Sequence, residues 1–189
     1  RVTVMRKGKY IGTVNTKDVD KHILSEMMVG RPVQMTVKKS EAKVGKTVLE
    51  VSNLTVASDL NKNKPSVNNV SFSVKEGEIV SIAGIDGNGQ TELVYALTGL
   101  TGVKSGEISL LGEDITHASV RHRNELGIAH IPEDRHKHGL VLDFTLQDNC
   151  VLLTYFKNEF QGKGFIKKES IREYAESLIE RYDVPNVQE

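Results

Sequence analysis

Apolar and polar residues alternate in "TVLEVSNLTV" (47–56) and again in "VSFSV" (70–74). That period of two predicts two strands, each with one buried face. The opening "RVTVMRKGKYIGTV" (1–14) predicts two shorter strands around a turn at "RKGK", with Gly8 supplying the permissive backbone. "IVSIAG" (79–84) is instead a nearly continuous apolar run of strand length, the pattern of a parallel strand buried on both faces. "GEISLLGEDI" (106–115) predicts a hairpin, and "IAHIPEDRHKHGLV" (128–141) a strand running into a charged loop.

Helical spacing appears three times. Val19, Ile23 and Met27 predict a helix capped by Thr16 or Asp18 and stopped by Gly30. Leu93, Ala96, Leu97 and Leu100 predict one ended by Gly99 or Gly102. Ile171, Tyr174, Ala175, Leu178, Ile179 and Tyr182 form an apolar stripe before Pro185, which reads as a core face. A shorter polar helix is predicted in "HASVRHRNELG", stopped by Gly127. Between Arg31 and Thr47 the chain is polar, with five lysines or arginines by residue 46, and reads as a linker that holds one strand in "VQMTV".

Composition narrows the function classes. Lysine plus arginine equals aspartate plus glutamate, at 25 each in 189 residues. No global basic field points to nucleic acid or anionic lipid. No segment approaches the roughly 20 apolar residues that span a bilayer. The single cysteine, Cys150, cannot build a disulfide framework and sits beside Val151 and Leu152 like a small hydrophobe. The chain opens without an initiator methionine, inside an expected strand, as an excised piece of a longer protein would.

The candidate chemistry lies between the apolar run and the helix that follows it. "GIDGNGQT", Gly84 to Thr91, has the spacing of a phosphate-binding loop, but Gln90 stands where the lysine should be. Such a loop points successive N–H groups and a helix N-terminus at one spot, a cradle for an anion. Thr91 keeps the hydroxyl that these loops offer to Mg²⁺. A neutral hydrogen bond is worth about 0.5–1.5 kcal/mol and a charged one about 1.5–3, so glutamine weakens phosphate binding by on the order of 1 kcal/mol or more. Asp86 adds a negative charge inside the loop. The histidines His130, His136 and His138, with Glu133 and Asp134 between, invite a metal reading, but Arg135 and Lys137 lie among them. The stretch reads as a solvated charged loop.

Taken in order, "LEVSNLTV", "VNNVSFSVKEGEIVSIAGIDGNGQTELVYALTGL", "SGEISLLGEDI" and "GIAHIPEDRHKHGLVLDFTLQDN" resemble the second nucleotide-binding half of a bacterial ABC import ATPase. The resemblance is to the simple-sugar and nucleoside uptake group, whose ATPase subunit carries two such halves. It implies an α/β fold: a P-loop ABC ATPase core with an antiparallel β subdomain, incomplete because the chain is a fragment. It implies three regions: 1–30 as the end of the first half, 31–47 as a linker and 48–189 as the N-terminal part of a degenerate second half.

By position, the resemblance places Gly84, Asp86, Gly87, Asn88, Gly89, Gln90, Thr91 and Glu92 at the nucleotide, with Thr91 on Mg. Glu133 falls where family members carry the Q-loop glutamine. The adenine-stacking aromatic would fall near Val56 to Ser58, which reads "VAS". The implied cofactors are ATP and Mg, held weakly. The implied partners are transporter membrane subunits, the first nucleotide-binding half and, indirectly, a solute-binding protein, with no nucleic acid. The implied location is the cytoplasmic face of the cell membrane, with "DFTLQDN" (143–149) on the docking side. The parent would hydrolyse ATP; this chain alone, lacking the catalytic carboxylate segment and signature loop, would not. The alternative is an interaction module that docks the membrane subunit without binding nucleotide.

Overall fold

The computed structural model describes residues 1–33, 36, 39–58 and 64–184. The chain divides into two compact units, Arg1–Lys43 and Val44–Glu189.

In the first unit, β1 (Val2–Arg6) pairs antiparallel with β2 (Lys9–Val14). Lys7 and Gly8 turn the chain with φ of 50° and 75°. Left-handed pairs of this kind match the twist of a two-residue hairpin. Helix α1 (Lys21–Val29) follows and stops at Gly30, whose φ is 89°. Its cap is Asp20, which accepts from the N–H groups of His22 and Ile23 at 2.9 Å each. The expected caps, Thr16 and Asp18, lie too far upstream. Asp18 accepts from Asn15 Nδ2 instead. The strand expected in "VQMTV" lies mostly outside the described residues.

The second unit is built on a four-stranded antiparallel sheet, β4–β3–β5–β6. Its strands are β3 (Thr47–Val56), β4 (Val67–Lys75), β5 (Ser105–Leu110) and β6 (Glu113–Asp114). Helix α2 (Gln90–Thr98) lays Leu93 and Ala96 against Val51, Leu54, Val56, Val67, Ile108 and Ile115. Burial along β3 skips from Val51 to Leu54 because the register shifts there. Asn53 takes φ 51° at the shift and donates its N–H to Ser71 Oγ. The bulge resets which face the next side chains occupy.

Helix α3 (Val120–Glu125) carries a buried cation. Arg123 is 2% exposed and donates to four carbonyls: Ala118, Ala96, Leu97 and Thr116. Burial disfavours its charge and the nearby Asp114 carboxylate favours it. The guanidinium thereby closes the C-terminal end of α2, where helix carbonyls lack intrahelical donors. A second, smaller core joins Val151, Phe160 and Ile171, with Tyr174 packed on it. Ile171 and Tyr174 come from α6 (Lys168–Arg181), which lies beyond a short hairpin, β7 (Gln161–Gly162) and β8 (Phe165–Ile166). That hairpin carries no alternating pattern and was not expected.

Two expected strands do not form. Residues 79–84 and 128–134 are irregular. Ile79 is 82% exposed and Ile131 88%. A strand persists when a neighbour pairs its N–H and C=O groups. Among the described residues no strand runs beside either segment, so an apolar pattern alone does not order them. The charged stretch after them is also not wholly loop: Arg135–His138 makes one helical turn, α4.

Candidate functional site

The glycine loop leads directly into α2. Gly87 and Gly89 both take positive φ, 83° and 94°. Around Gly87 a side chain would meet open space, but at Gly89 it would strike the backbone carbonyl of Ser66. Gly89 is therefore required twice, for its conformation and for close approach to the chain before β4. Because it is also the N-cap, α2 begins without a side-chain cap. Its first N–H groups are left for water or an anion.

Gln90 does not reach out of the loop. Its Nε2 donates to the Ile85 carbonyl at 3.3 Å, the same oxygen that accepts from Asn88 N–H at 3.3 Å. The carboxamide lies where a side chain at Gly84 would be. It fills the inside of the loop and cross-links its two limbs. Asp86 and Asn88 are exposed on the rim, and Glu92 lies in the first turn of α2.

The N-terminal part of α2 faces a cavity of about 680 Å³. Gln90, Thr91 and Tyr95 form one wall. The opposite wall is His130, Glu133 and the α4 turn with its preceding Asp134. The cavity thus brings together Gln90, Thr91 and Glu133. Gly84, Asp86, Gly87, Asn88, Gly89 and Glu92 frame the loop but do not line it. Asp134 Oδ1 caps α4 by accepting from His136 and Lys137 N–H at 3.0 Å each. Tyr95 stands edge-on between two imidazoles, 6.4 Å from His130 and 6.2 Å from His138.

Tyr95 and this placement of the histidines were not foreseen. Tyr95 lies four residues after Thr91, hence on the same helix face, and that spacing was the available signal. Among the described residues, no group of three or more histidines, cysteines or carboxylates is gathered to hold a metal ion. The candidate Mg contact remains the Thr91 hydroxyl, exposed at the start of α2. Near Val56 to Ser58, Val56 is buried in the sheet and no ring is available to stack on a base.

A second cavity, about 620 Å³, lies behind the first and shares His130, Lys137 and His138 with it. Its other walls are mainly apolar, including Leu100, Val120, Ile128, Leu140 and Leu152. The exposed segment beside it is held in shape by Asn149 of α5 (Leu146–Cys150). Asn149 Nδ2 donates to the carbonyls of Val141, Phe144 and Thr145, and its Oδ1 accepts from Val141 N–H at 2.9 Å. Cys150 lines this cavity half-buried, and burial raises its thiol above the usual cysteine range. None of the described helices is long and apolar enough to cross a membrane.

The family model described as ABC transporter matches residues 67–188. The guanosine import ATP-binding protein NupO of Bacillus subtilis is 46% identical over 184 residues. That match covers 97% of this chain but 36% of NupO, so the chain spans about a third of the relative. The nucleoside import ATP-binding protein NupA of Lactococcus lactis is 45% identical over the same shares, 97% and 36%. The ribose import ATP-binding protein RbsA of Oceanobacillus iheyensis is 35% identical over 97% of this chain and 35% of its own. Among solved structures, an ATP-binding cassette of an ABC transporter superposes with a TM-score of 0.56 at 20% identity, covering 74% of this chain and 55% of that one. The shared fold is that of an ABC ATPase, and this chain carries the antiparallel sheet expected within it. With a family model matched over more than half of its length, the chain belongs to the ABC transporter ATP-binding family.

Proposed function

We propose that this chain is part of the ATP-binding subunit of an importer that takes up a nucleoside or simple sugar, and that it supplies a degenerate nucleotide site. One observation carries the reading. An uncapped helix N-terminus after a glycine loop faces the same cavity as Glu133, the position that the sequence resemblance assigns to the Q-loop. The identities to guanosine, nucleoside and ribose import ATP-binding proteins support it.

In this reading residues 1–30 end a first nucleotide-binding half, 31–47 link the halves and 48–189 begin the second. The backbone of Gly87 to Thr91 holds the phosphates. The Thr91 hydroxyl would ligate Mg²⁺, which would neutralise phosphate charge there. Gln90 gives a neutral contact where lysine would give a charged one, so the site binds weakly and this chain does not hydrolyse ATP. Residues 133–149 dock the membrane subunits at the cytoplasmic face, and closure of the two halves transmits ATP binding to them. A solute-binding protein takes part through the membrane subunits alone.

The Gln90–Ile85 bond favours a second reading, in which the loop is closed by its own side chain and only the docking surface works. Calorimetric titration separates the two. Mg-ATP and AMP are titrated into the wild-type chain and Q90K. The first reading expects weak ATP binding that Q90K tightens about tenfold, roughly the difference between a neutral and a charged hydrogen bond. AMP should gain nothing. Absence of ATP binding by both folded proteins would leave only the docking module.

A further inference from the structure

The cavity beyond the loop holds a feature that the resemblance does not explain. Its fixed charges cancel: Glu133 and Asp134 against Arg135 and Lys137. The remaining titratable groups on its walls are three imidazoles, His130, His136 and His138, and the Tyr95 hydroxyl. Histidine is the side chain whose ordinary charge change falls between pH 5 and 8. Beyond the balanced pairs, the imidazoles are the lining side chains able to carry positive charge. Gln90 and Thr91 line the same cavity as these imidazoles.

We propose that His130, His136 and His138 form the cationic end of the phosphate site in place of the absent loop lysine, so that polyphosphate binding is coupled to proton uptake. This rests on the nucleotide reading above. The geometry favours it in three ways. His130 and His138 flank Tyr95, whose ring holds them 6.4 and 6.2 Å away on the cavity wall. The Asp134 carboxylate is engaged in capping α4, which fixes the turn that carries His136 and His138. The only charged side chains of the loop and the first turn of α2 are negative, Asp86 and Glu92. The titratable and charged groups that share the cavity walls with the imidazoles are Tyr95 from α2 and Glu133, Asp134, Arg135 and Lys137, while Asp86 of the loop and Glu92 of α2 lie outside those walls. In the second cavity His130 and His138 also share walls with Arg123, Cys150 and Tyr174.

A bound polyanion stabilises the protonated imidazoles, so binding takes up protons and affinity rises as pH falls. If it raises one imidazole by one pKa unit, affinity rises by up to about tenfold from the high-pH to the low-pH limit. The test is calorimetry of Mg-ATP with the wild-type chain between pH 5.5 and 8, in buffers of different ionisation heat. Excess Mg²⁺ suppresses protonation of the ligand itself. Net proton uptake on binding, tighter binding at low pH and loss of both in H130N/H136N/H138N support the proposal. H136N alone should lose part of the uptake; His136 makes no ring contact with Tyr95, so this variant keeps the test sound if the triple variant unfolds. Circular dichroism at each pH checks folding. Binding that is independent of pH and of buffer heat would overturn the proposal and leave the nucleotide reading standing. No Mg-ATP binding at any pH by the folded chain would overturn both.

Discussion

Replacing Arg123 with methionine should be among the most destabilising single changes in the second unit. The guanidinium is 2% exposed and donates to Leu97 O at 2.9 Å, Thr116 O at 3.0 Å, Ala118 O at 3.1 Å and Ala96 O at 3.2 Å. Among the described residues it makes no carboxylate ion pair within hydrogen-bonding distance; Asp114 acts on it only through its field. Bonds to a charged group contribute about 1.5–3 kcal/mol each, so four would sum to roughly 6–12. Desolvating the cation costs several kcal/mol, and methionine removes that cost along with the bonds. What remains is the carbonyls of Leu97, Thr116 and Ala118 without this donor, while Ala96 O keeps the Gly99 N–H, at about 1–3 kcal/mol for each that water cannot reach. The balance is a loss of about 3–5 kcal/mol, a large share of the 5–15 kcal/mol that holds an ordinary domain together.

R123K keeps the charge but loses the planar fork. One ammonium cannot serve carbonyls on α2, on the segment after β6 and before α3 at once. It should lose about 2–3 kcal/mol, an intermediate value. Urea unfolding followed by circular dichroism measures both variants. The ordering wild type, R123K, R123M is the expected result. A loss under about 1 kcal/mol for R123M, with an unchanged denaturant slope, would refute the view that Arg123 organises the end of α2.

The loop glycines should separate by surroundings: G87A, in open space, pays only for positive φ, about 1–2 kcal/mol, while G89A also drives a methyl into Ser66 O and should cost more and abolish any Mg-ATP binding in calorimetry. Asp114 has a pKa held below the usual carboxylate value, first by the Thr116 hydroxyl and then by the Thr116 N–H. Its contribution is therefore complete above the unfolded carboxylate pKa and fades as pH falls through the folded one, so the stability gap between wild type and D114N should narrow on acidification below about pH 4 in urea melts. D20A removes the cap of α1 and should destabilise that helix, read as lost helicity by circular dichroism. In a full transporter, a cysteine at Asp143 should crosslink to a cytoplasmic loop of the membrane subunit, and N149A, which frees the 141–145 carbonyls, should weaken that crosslink; capture of other proteins alone would contradict docking there.

What the sequence disclosed depended on whether the cause of a structure was local. Strands β3 to β6 follow from alternation and turn residues, and their pairing needs only neighbours within the unit. Helix α2 followed from its spacing, and Gly99 at φ 81° ended it as expected. The two apolar runs failed for the opposite reason. "IVSIAG" has the composition of a buried parallel strand, yet a parallel strand is a property of a pair, and no described strand runs beside it. The same division holds at the site. The candidate loop of glycines, Gln90 and Thr91 is legible because its motif is contiguous. Glu133 was placed only by resemblance, since nothing in its own neighbourhood points to a residue some forty positions earlier in the chain. Tyr95 and the histidines were missed as a group because their meeting depends on α4 folding back along α2. Arg123 was hidden most completely. It sits in a polar stretch, "VRHRNELG", where an arginine reads as solvated surface. Only the convergence of four carbonyls from α2 and its neighbours turns it into an interior residue. A cation can be buried there because the C-terminal end of α2 already carries the negative end of a helix dipole.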